Sequence, residues 1–423
     1  EKLRQSGVPL IVTEHHAHQG DLPAASAIVH PGLNGYPNPD LCGAGVAFKL
    51  AWAIAQRISG SERVRPEFRE LLSELLSLAA LGTIADVVRL QGENRIIAKH
   101  GLDRLTRTRL PGLKALMEKA GLGDEKVSGY DVGFKLAPRI NAAGRMGHAC
   151  RAVELMTNAN TARAFEIAMY LEDHNRTRQS TERRMTEQAI EFVDKHNLAS
   201  DARRAIVWAD EGWHPGVIGI VAARLVERFH RPTVLIAMSN GEGQGSGRSI
   251  RHFNLAAAFG SCGDHLISHG GHEMAAGLRI RKEKISVFSE SFVELANQRL
   301  TGNDLRPTLR IDAEVSLRSL THADVEAITR LGPFGMGNPR PKLATDWVEL
   351  ASEPRLVGRD EGHLQASFRQ DGVVIRAIGF GLANRIEDLK QHRRCQVAFE
   401  PMINRFDGTA KVELQALDMR FPG

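Results

Sequence analysis

Three consecutive residues, Glu14-His15-His16, follow the apolar, β-branched run Val8-Pro9-Leu10-Ile11-Val12. A carboxylate beside two imidazoles offers the donors that bind divalent metal ions or touch phosphate. The run ahead of them reads as a buried strand, and in α/β sheets chemistry gathers where strands end. Alternation along a strand sends His15 and His16 to opposite faces, so one is expected as a ligand and the other as a support for the ligands or a substrate contact. A polar loop leaving a sheet would explain the same three residues in isolation. Asp86 is a second candidate, as the one acid in Gly82-Thr83-Ile84-Ala85-Asp86-Val87-Val88. An ionised carboxylate among small and apolar residues is costly unless it is paired or bound to a cation. A helix-capping Asp is the competing reading.

Other stretches carry the chemistry of anion binding. In Lys135-Leu136-Ala137-Pro138-Arg139-Ile140-Asn141-Ala142-Ala143-Gly144-Arg145-Met146, two arginines bracket Asn141 among small residues that let a ligand approach the backbone. Guanidinium forks beside an amide suit phosphate oxygens; solvated arginines on a helix surface are the alternative. Ser246 and Arg248 lie in Gly245-Ser246-Gly247-Arg248-Ser249, and His272 in the run from His269 through Gly270-Gly271 to Gly277. Glycines that expose backbone N–H groups beside Ser, Arg and His meet the needs of an anion site, and two such clusters in one domain strengthen that reading.

The elements that must hold these residues follow from pattern. Loop is expected at Asp21-Leu22-Pro23 and from His30 to Pro39, and helices from Gly43 to about Arg57 and from Glu70 to Leu81. A long charged helix runs from Ala162 to about Asn197, with Arg176, Arg178, Arg183 and Arg184 expected on a solvated face. A strand at Ala205–Ala209, a helix at Val217–Phe229 and a strand at Pro232–Met238 make a βαβ unit that opens a second α/β domain. Past Leu305 strands dominate: Leu309–Leu317, Val373–Phe380, Gln396–Phe399 and Lys411–Leu417, with one helix near His322–Leu331. A small β-barrel of the OB type is expected there, with Trp347, Phe368, Phe380, Phe399 and Phe406 mostly in its core.

The bulk properties narrow the class. A chain of 423 residues is too long for one core, so two to four domains are expected. A net charge of +5 suits a polyanionic partner without proving one. No run approaches a membrane span. Cys42, Cys150, Cys262 and Cys395 are scattered without a C-x-x-C pair, which fits a reducing, cytoplasmic setting better than disulfides or zinc. The chain opens at Glu1 directly before a sheet strand, so its first domain is expected to be the C-terminal portion of a larger one.

Taken in order, Thr13-Glu14-His15-His16, Ala85-Asp86-Val87-Val88 with Glu93-Asn94-Arg95, Arg139 to Arg145, and Gly270-Gly271-His272 to Gly277 resemble the DHH phosphoesterase superfamily. Leu331-Gly332-Pro333-Phe334-Gly335-Met336-Gly337-Asn338-Pro339 and the β-rich tail are similar to the barrel of its branch that degrades single-stranded DNA from the 5′ end. The resemblance implies a partial DHH domain (1–160), a connecting helix (161–200), a DHH-associated phosphate-binding domain (201–303) and an OB-like domain (304–423). It implies two Mn²⁺ or Mg²⁺ ions, with His15 and Asp86 as ligands, Asp86 bridging, and His16 facing the scissile phosphate. Arg139, Asn141, Arg145, Ser246, Arg248 and His272 would hold the DNA. Its further implications are a role in repair and recombination and contact with a single-strand-binding protein.

Two departures stand out. Glu14 occupies the place of the family's first Asp, and the family's earlier Asp motifs would lie before Glu1. The chain alone is therefore expected to be inactive or nearly so. Alternatives are a phosphodiesterase of short oligonucleotides or cyclic dinucleotides, to which the barrel is superfluous, a non-catalytic DNA-binding homologue, and a pyrophosphatase-like enzyme, which the third domain disfavours.

Overall fold

The computed structural model describes residues 2–16, 21–123, 126–405 and 408–422. The chain forms two compact units, one of Glu1–Leu110, Leu122–Phe134 and Leu309–Gly423, the other of Pro111–Gly121 and Lys135–Thr308.

In the first unit, β1 (Ile11–Thr13) pairs in parallel with β2 (Ala27–Val29), a strand that the sequence pattern does not signal. The run from Val8 was expected to be buried, yet only three residues are strand and Ile11 is 63% exposed. With two strands, this sheet gives β1 one hydrogen-bonded neighbour and leaves its outward side chains uncovered. The helix Gly43–Ser59 starts where the Cys42 thiol accepts from Gly45 N–H. The next, Pro66–Ala85, outruns the expected Glu70–Leu81 at both ends. Pro66 suits a first helical turn, where its missing N–H is no loss. At the other end the Thr83 hydroxyl donates back to the Ala79 carbonyl. Helix Gly92–Leu105 packs on it through Gly101, where a Cβ would lie 2.3 Å from that of Ala80.

The second unit contains the expected long helix, Thr161–Lys195, capped by the Asn160 side chain. β3 (Ile206–Asp210), the helix Ile218–Phe229 and β4 (Thr233–Ser239) form the expected βαβ unit, with β3 and β4 parallel. β5 (Glu242–Arg248), β6 (Ser268–Gly271) and β7 (Ala275–Arg281) extend the sheet antiparallel, in the order β3-β4-β5-β7-β6. Along β5, Gly243, Gly245 and Gly247 face a core in which a Cβ would meet Ile236, Leu278 and Leu255 within 2.8 Å. Strand alternation then puts Gln244, Ser246 and Arg248 on the opposite face. Phe253, Phe259, Phe288 and Phe292 cluster in that core, all fully buried.

The rest of the first unit is β-rich: β8 (Ala313–Val315), β9 (Leu343–Thr345), β10 (Val348–Leu350), β11 (Arg355–Val357), β12 (His363–Gln370), β13 (Val373–Gly379), β14 (Arg394–Asn404) and β15 (Lys411–Arg420). Strands β10, β12, β13, β15 and β14 follow one another, and a β10–β14 pairing closes the ring. β13 and β15 run parallel, and the helix Ile386–His392 bridges β13 to β14, as in an OB-fold. The expected strand from Leu309 to Leu317 shrinks to Ala313–Val315, while β12, with Leu364, Ala366 and Phe368 alternating inward, was missed. Phe368 and Phe399 are core, Phe380 is exposed, Trp347 lies under the Arg394 guanidinium, and Phe406 lies outside the described residues. Among the described residues no helix is long and apolar enough to cross a membrane.

Phe292 touches Phe253, Phe259 and Phe288 at ring-centroid distances of 5.6, 5.9 and 5.7 Å. Replacing it with Ala is expected to destabilise this unit by about 3–5 kcal/mol, read from urea unfolding. A loss below about 1 kcal/mol would show that the aromatic cluster is not its core.

Candidate functional site

In the first unit, chemistry converges just past the end of β1. The His15 ring sits against the start of the helix Gly43–Ser59, where a Cβ on Gly43 would be 3.2 Å from His15 Cδ2. Its Nδ1 lies 3.8 Å from Asp86 Oδ2. That is too far for a hydrogen bond. Two donors each about 2.1 Å from a shared ion are separated by at most about 4.2 Å, so the spacing suits a common cation. Asp86 also closes the helix Pro66–Ala85, its backbone N–H on the Gly82 carbonyl at 2.9 Å, and its side chain is turned toward His15.

The strand rule fails for the histidines. They lie beyond β1, where alternation no longer holds, and their rings approach to 4.1 Å. Ligand atoms of Glu14, His15 and His16 all lie within 4.8 Å of one another. Glu14 does not orient the His15 ring. Its Oε1 accepts from the backbone N–H of His15 at 2.7 Å and of His16 at 3.1 Å, and lies 2.8 Å from His16 Nδ1. Those three interactions, the His15 N–H first, pull its carboxyl down to about 2. An exposed acid, two imidazoles and Asp86 form a donor set fit for a hard or borderline divalent ion.

The second unit gathers the arginines. Arg139 is tied into the fold, its Nε on Glu172 at 2.7 Å and its Nη1 on the Lys135 carbonyl at 2.6 Å. Asn141 is exposed on the helix Ala137–Met146. Arg145, at the end of that helix, donates to the Gly216 carbonyl at 2.9 Å. Arg248 donates to Ser246 Oγ at 3.2 Å and to the Gly247 carbonyl at 2.7 Å. The first turn of the helix Ile218–Phe229 closes over this pair, since a Cβ on Gly219 would stand 2.8 Å from Ser246 Oγ and 3.0 Å from Arg248 Nη2. Burial, and after it the charge of Arg145, lowers the pKa of Arg248. Among the described residues no carboxylate is within ion-pair distance of Arg145 or Arg248. Sheet register sets Arg248 opposite Ala275, so the His272 turn, closed by His272 N–H on the Ala275 carbonyl at 2.8 Å, lies at the same sheet end.

Arg178 was expected in solvent and is instead buried, bonded to Asn175 at 2.9 Å and Glu182 at 2.7 Å. Burial lowers its pKa, Glu182 opposes that shift, and Arg145 and Arg224 add to it. The signal was its spacing, three residues after Asn175 and four before Glu182 on one helix. His214, which carries no signal in the sequence pattern, accepts from Gly216 N–H at 3.1 Å beside the Arg145 contact.

These arrangements have relatives. The family model described as the DHHA1 domain matches residues 202–299, and that described as the RecJ OB domain matches 311–418. The chain is 37% identical over 419 residues to a single-stranded-DNA-specific exonuclease RecJ of Bacillus subtilis, covering 98% of this chain and 51% of that protein. Against RecJ of Escherichia coli the figures are 34% over 427 residues, 98% and 73%. The crystal structure of RecJ from Thermus thermophilus in complex with Mn²⁺ superposes with a TM-score of 0.83 at 32% identity, over 100% of this chain and 59% of that one. Its complex with Mg²⁺ gives 0.80, also at 32% identity, over 99% and 60%. The chain therefore carries a DHHA1 domain followed by an OB domain of the RecJ type. The chain belongs to the RecJ family. It spans about half of the Bacillus relative's length.

The Glu14 carboxyl is expected to stay ionised well below its ordinary 4.5, titrating near 2. A depressed carboxylate contributes stability that is complete above its unfolded value and lost as pH falls through the folded one. That contribution is therefore present above pH 4.5 and fades toward pH 2. Carboxyl-carbon NMR of the metal-free protein checks this, and an ordinary midpoint near 4.5 would refute the hydrogen-bonded turn.

Proposed function

We propose that this chain forms part of a 5′→3′ exonuclease specific for single-stranded DNA, hydrolysing phosphodiester bonds with two Mn²⁺ or Mg²⁺ ions in DNA repair and recombination. The observation that carries the reading is Arg248, partly buried and bonded to Ser246 Oγ at 3.2 Å, its pKa lowered by burial and by the charge of Arg145, with no carboxylate at ion-pair distance of either arginine among the described residues. Like charges held close and partly desolvated are costly, and an anionic ligand offsets that cost. A terminal 5′ phosphate has the charge and the acceptor oxygens for this cradle, with Asn141 and His272 as further contacts. Arg139, already bonded to Glu172, supports the helix that presents Arg145.

His15 and Asp86 are assigned as metal ligands, His16 as the group turned toward the scissile phosphate, and Glu14 as the residue that fixes the histidine turn. The RecJ structures named for Mn²⁺ and Mg²⁺ support the choice of ions. When bound, such ions would acidify the attacking water and stabilise the leaving oxygen. The OB module would give the single strand an extended binding surface, which a dinucleotide or cyclic dinucleotide does not need. The proposed module limits are 1–160, 161–200, 201–303 and 304–423. A cytoplasmic location and contact with a single-strand-binding protein complete the proposal.

Two measurements on the full-length protein test it. Arg248→Ala is expected to weaken binding of a 5′-phosphorylated single strand and to reduce the salt slope of binding by about one. Equal weakening for 5′-phosphate and 5′-hydroxyl strands would refute the terminal-phosphate assignment. In cleavage assays a long single strand is expected to be consumed and a dinucleotide spared, and His15→Ala to abolish turnover. Preference for the dinucleotide would favour the small-substrate phosphodiesterase.

A further inference from the structure

Two motifs that the metal and phosphate assignments leave unused, Gly92-Glu93-Asn94-Arg95 and Leu331 to Pro339, meet in the first unit. The Arg95 guanidinium donates to the Leu331 carbonyl at 2.7 Å and to the Gly332 carbonyl at 3.4 Å. Leu90 N–H donates to the Met336 carbonyl at 2.7 Å, and Gln91 Nε2 to the Gly337 carbonyl at 2.9 Å. The loop is itself braced by Asn338, whose amide donates to the Leu331 and Pro333 carbonyls at 3.0 and 2.9 Å. Gly335 and Gly337 allow the approach. A Cβ on Gly335 would lie 2.8 Å from Leu90 Cδ1, and one on Gly337, where φ is +73°, 3.1 Å from Arg89 Cβ.

The segment gripped in this way starts at Asp86. Immediately after it, Val87 adopts φ +58°, a left-handed conformation that a β-branched residue disfavours. Such a conformation persists only where its surroundings over-determine it. The Val87 N–H bonds back to the Ile84 carbonyl at 3.2 Å. On the far side, buried Asn94 donates to the Arg89 carbonyl at 3.1 Å and to the Asp40 carbonyl at 2.8 Å. Without the loop, Leu90 loses its N–H partner and Arg89 and Leu90 lose their packing, so Val87 gains room to relax. Asp86 would move with it.

We propose that the Leu331–Asn338 loop of the OB module, through Arg95 and Leu90, positions Asp86 for metal binding. Arg95 is then a positioning residue, and the β-rich module sets the metal affinity of a site formed elsewhere in its unit. The proposal rests on Asp86 being a ligand.

The test is Mn²⁺ binding to the full-length protein, followed by electron paramagnetic resonance of the free ion, with nuclease kinetics alongside. Outer-shell partners of metal ligands typically contribute about 10–100-fold in affinity, so Arg95→Ala and Gly337→Ala are each expected to raise the Mn²⁺ dissociation constant about tenfold. Excess Mn²⁺ should restore kcat, with KM for the single strand unchanged. Arg95→Lys keeps one donor for the Leu331 carbonyl and should recover part of the affinity. Gln91→Ala, which removes one exposed bond, keeps the question open to measurement if the other variants fold poorly, and should weaken Mn²⁺ measurably. Wild-type Mn²⁺ affinity in folded Arg95→Ala and Gln91→Ala would overturn the brace alone. Absence of saturable Mn²⁺ binding in the wild type would overturn the ligand assignment and this inference with it.

Discussion

The governing constraint in the second unit is positive charge held close together with too few acids. Burial and the charge of Arg145 lower the pKa of Arg248, neither arginine has a described carboxylate at ion-pair distance, and Arg178 shares Glu182 with Arg224. Holding guanidinium groups together out of water is unfavourable unless an anion completes the arrangement. The local architecture makes that crowding possible. Glycines on the inner face of β5 let the sheet pack tightly on its core, and Gly219 lets a helix come down onto Ser246 and Arg248. Bulkier residues at these points would lift the helix away and dissolve the cradle.

The first unit meets a related problem with the opposite charge. Asp86 and Glu14 are both largely exposed carboxylates, and each is fixed through backbone rather than through a long cation. Glu14 captures two N–H groups of its own turn, while Asp86 ends a helix whose exit is gripped by a loop more than two hundred residues away. The N–H groups on Glu14 hold its carboxyl below the ordinary range, so it stays ionised while facing outward. The OB module thus contributes carbonyl acceptors to this unit through its Leu331–Asn338 loop.

Much of this was legible in the sequence, because local periodicity and local chemistry coincide there. Helical spacing located Gly43–Ser59 and Thr161–Lys195, and two apolar runs around an amphipathic helix located β3 and β4. The pairing of Ser246 with Arg248 follows from strand alternation. The order of motifs along the chain points to the family. Less legible were short strands such as β9 and β10, whose three residues carry little pattern, and β12, whose inward Leu364, Ala366 and Phe368 carried one that was overlooked.

Residue types for metal and phosphate chemistry, their order, and most of the elements that carry them are thus written along the chain. These depend on neighbours a few residues apart. Which of them meet is a matter of the folded molecule. Folding brought His15 and His16 to one side of their turn, sank Arg178 beside Asn175 and Glu182, and tied Arg139 to Glu172. It also set the Leu331–Asn338 loop against the turn after Asp86. Burial, like-charge crowding and long-range hydrogen bonds depend on distances in space, and no spacing along the chain encodes them.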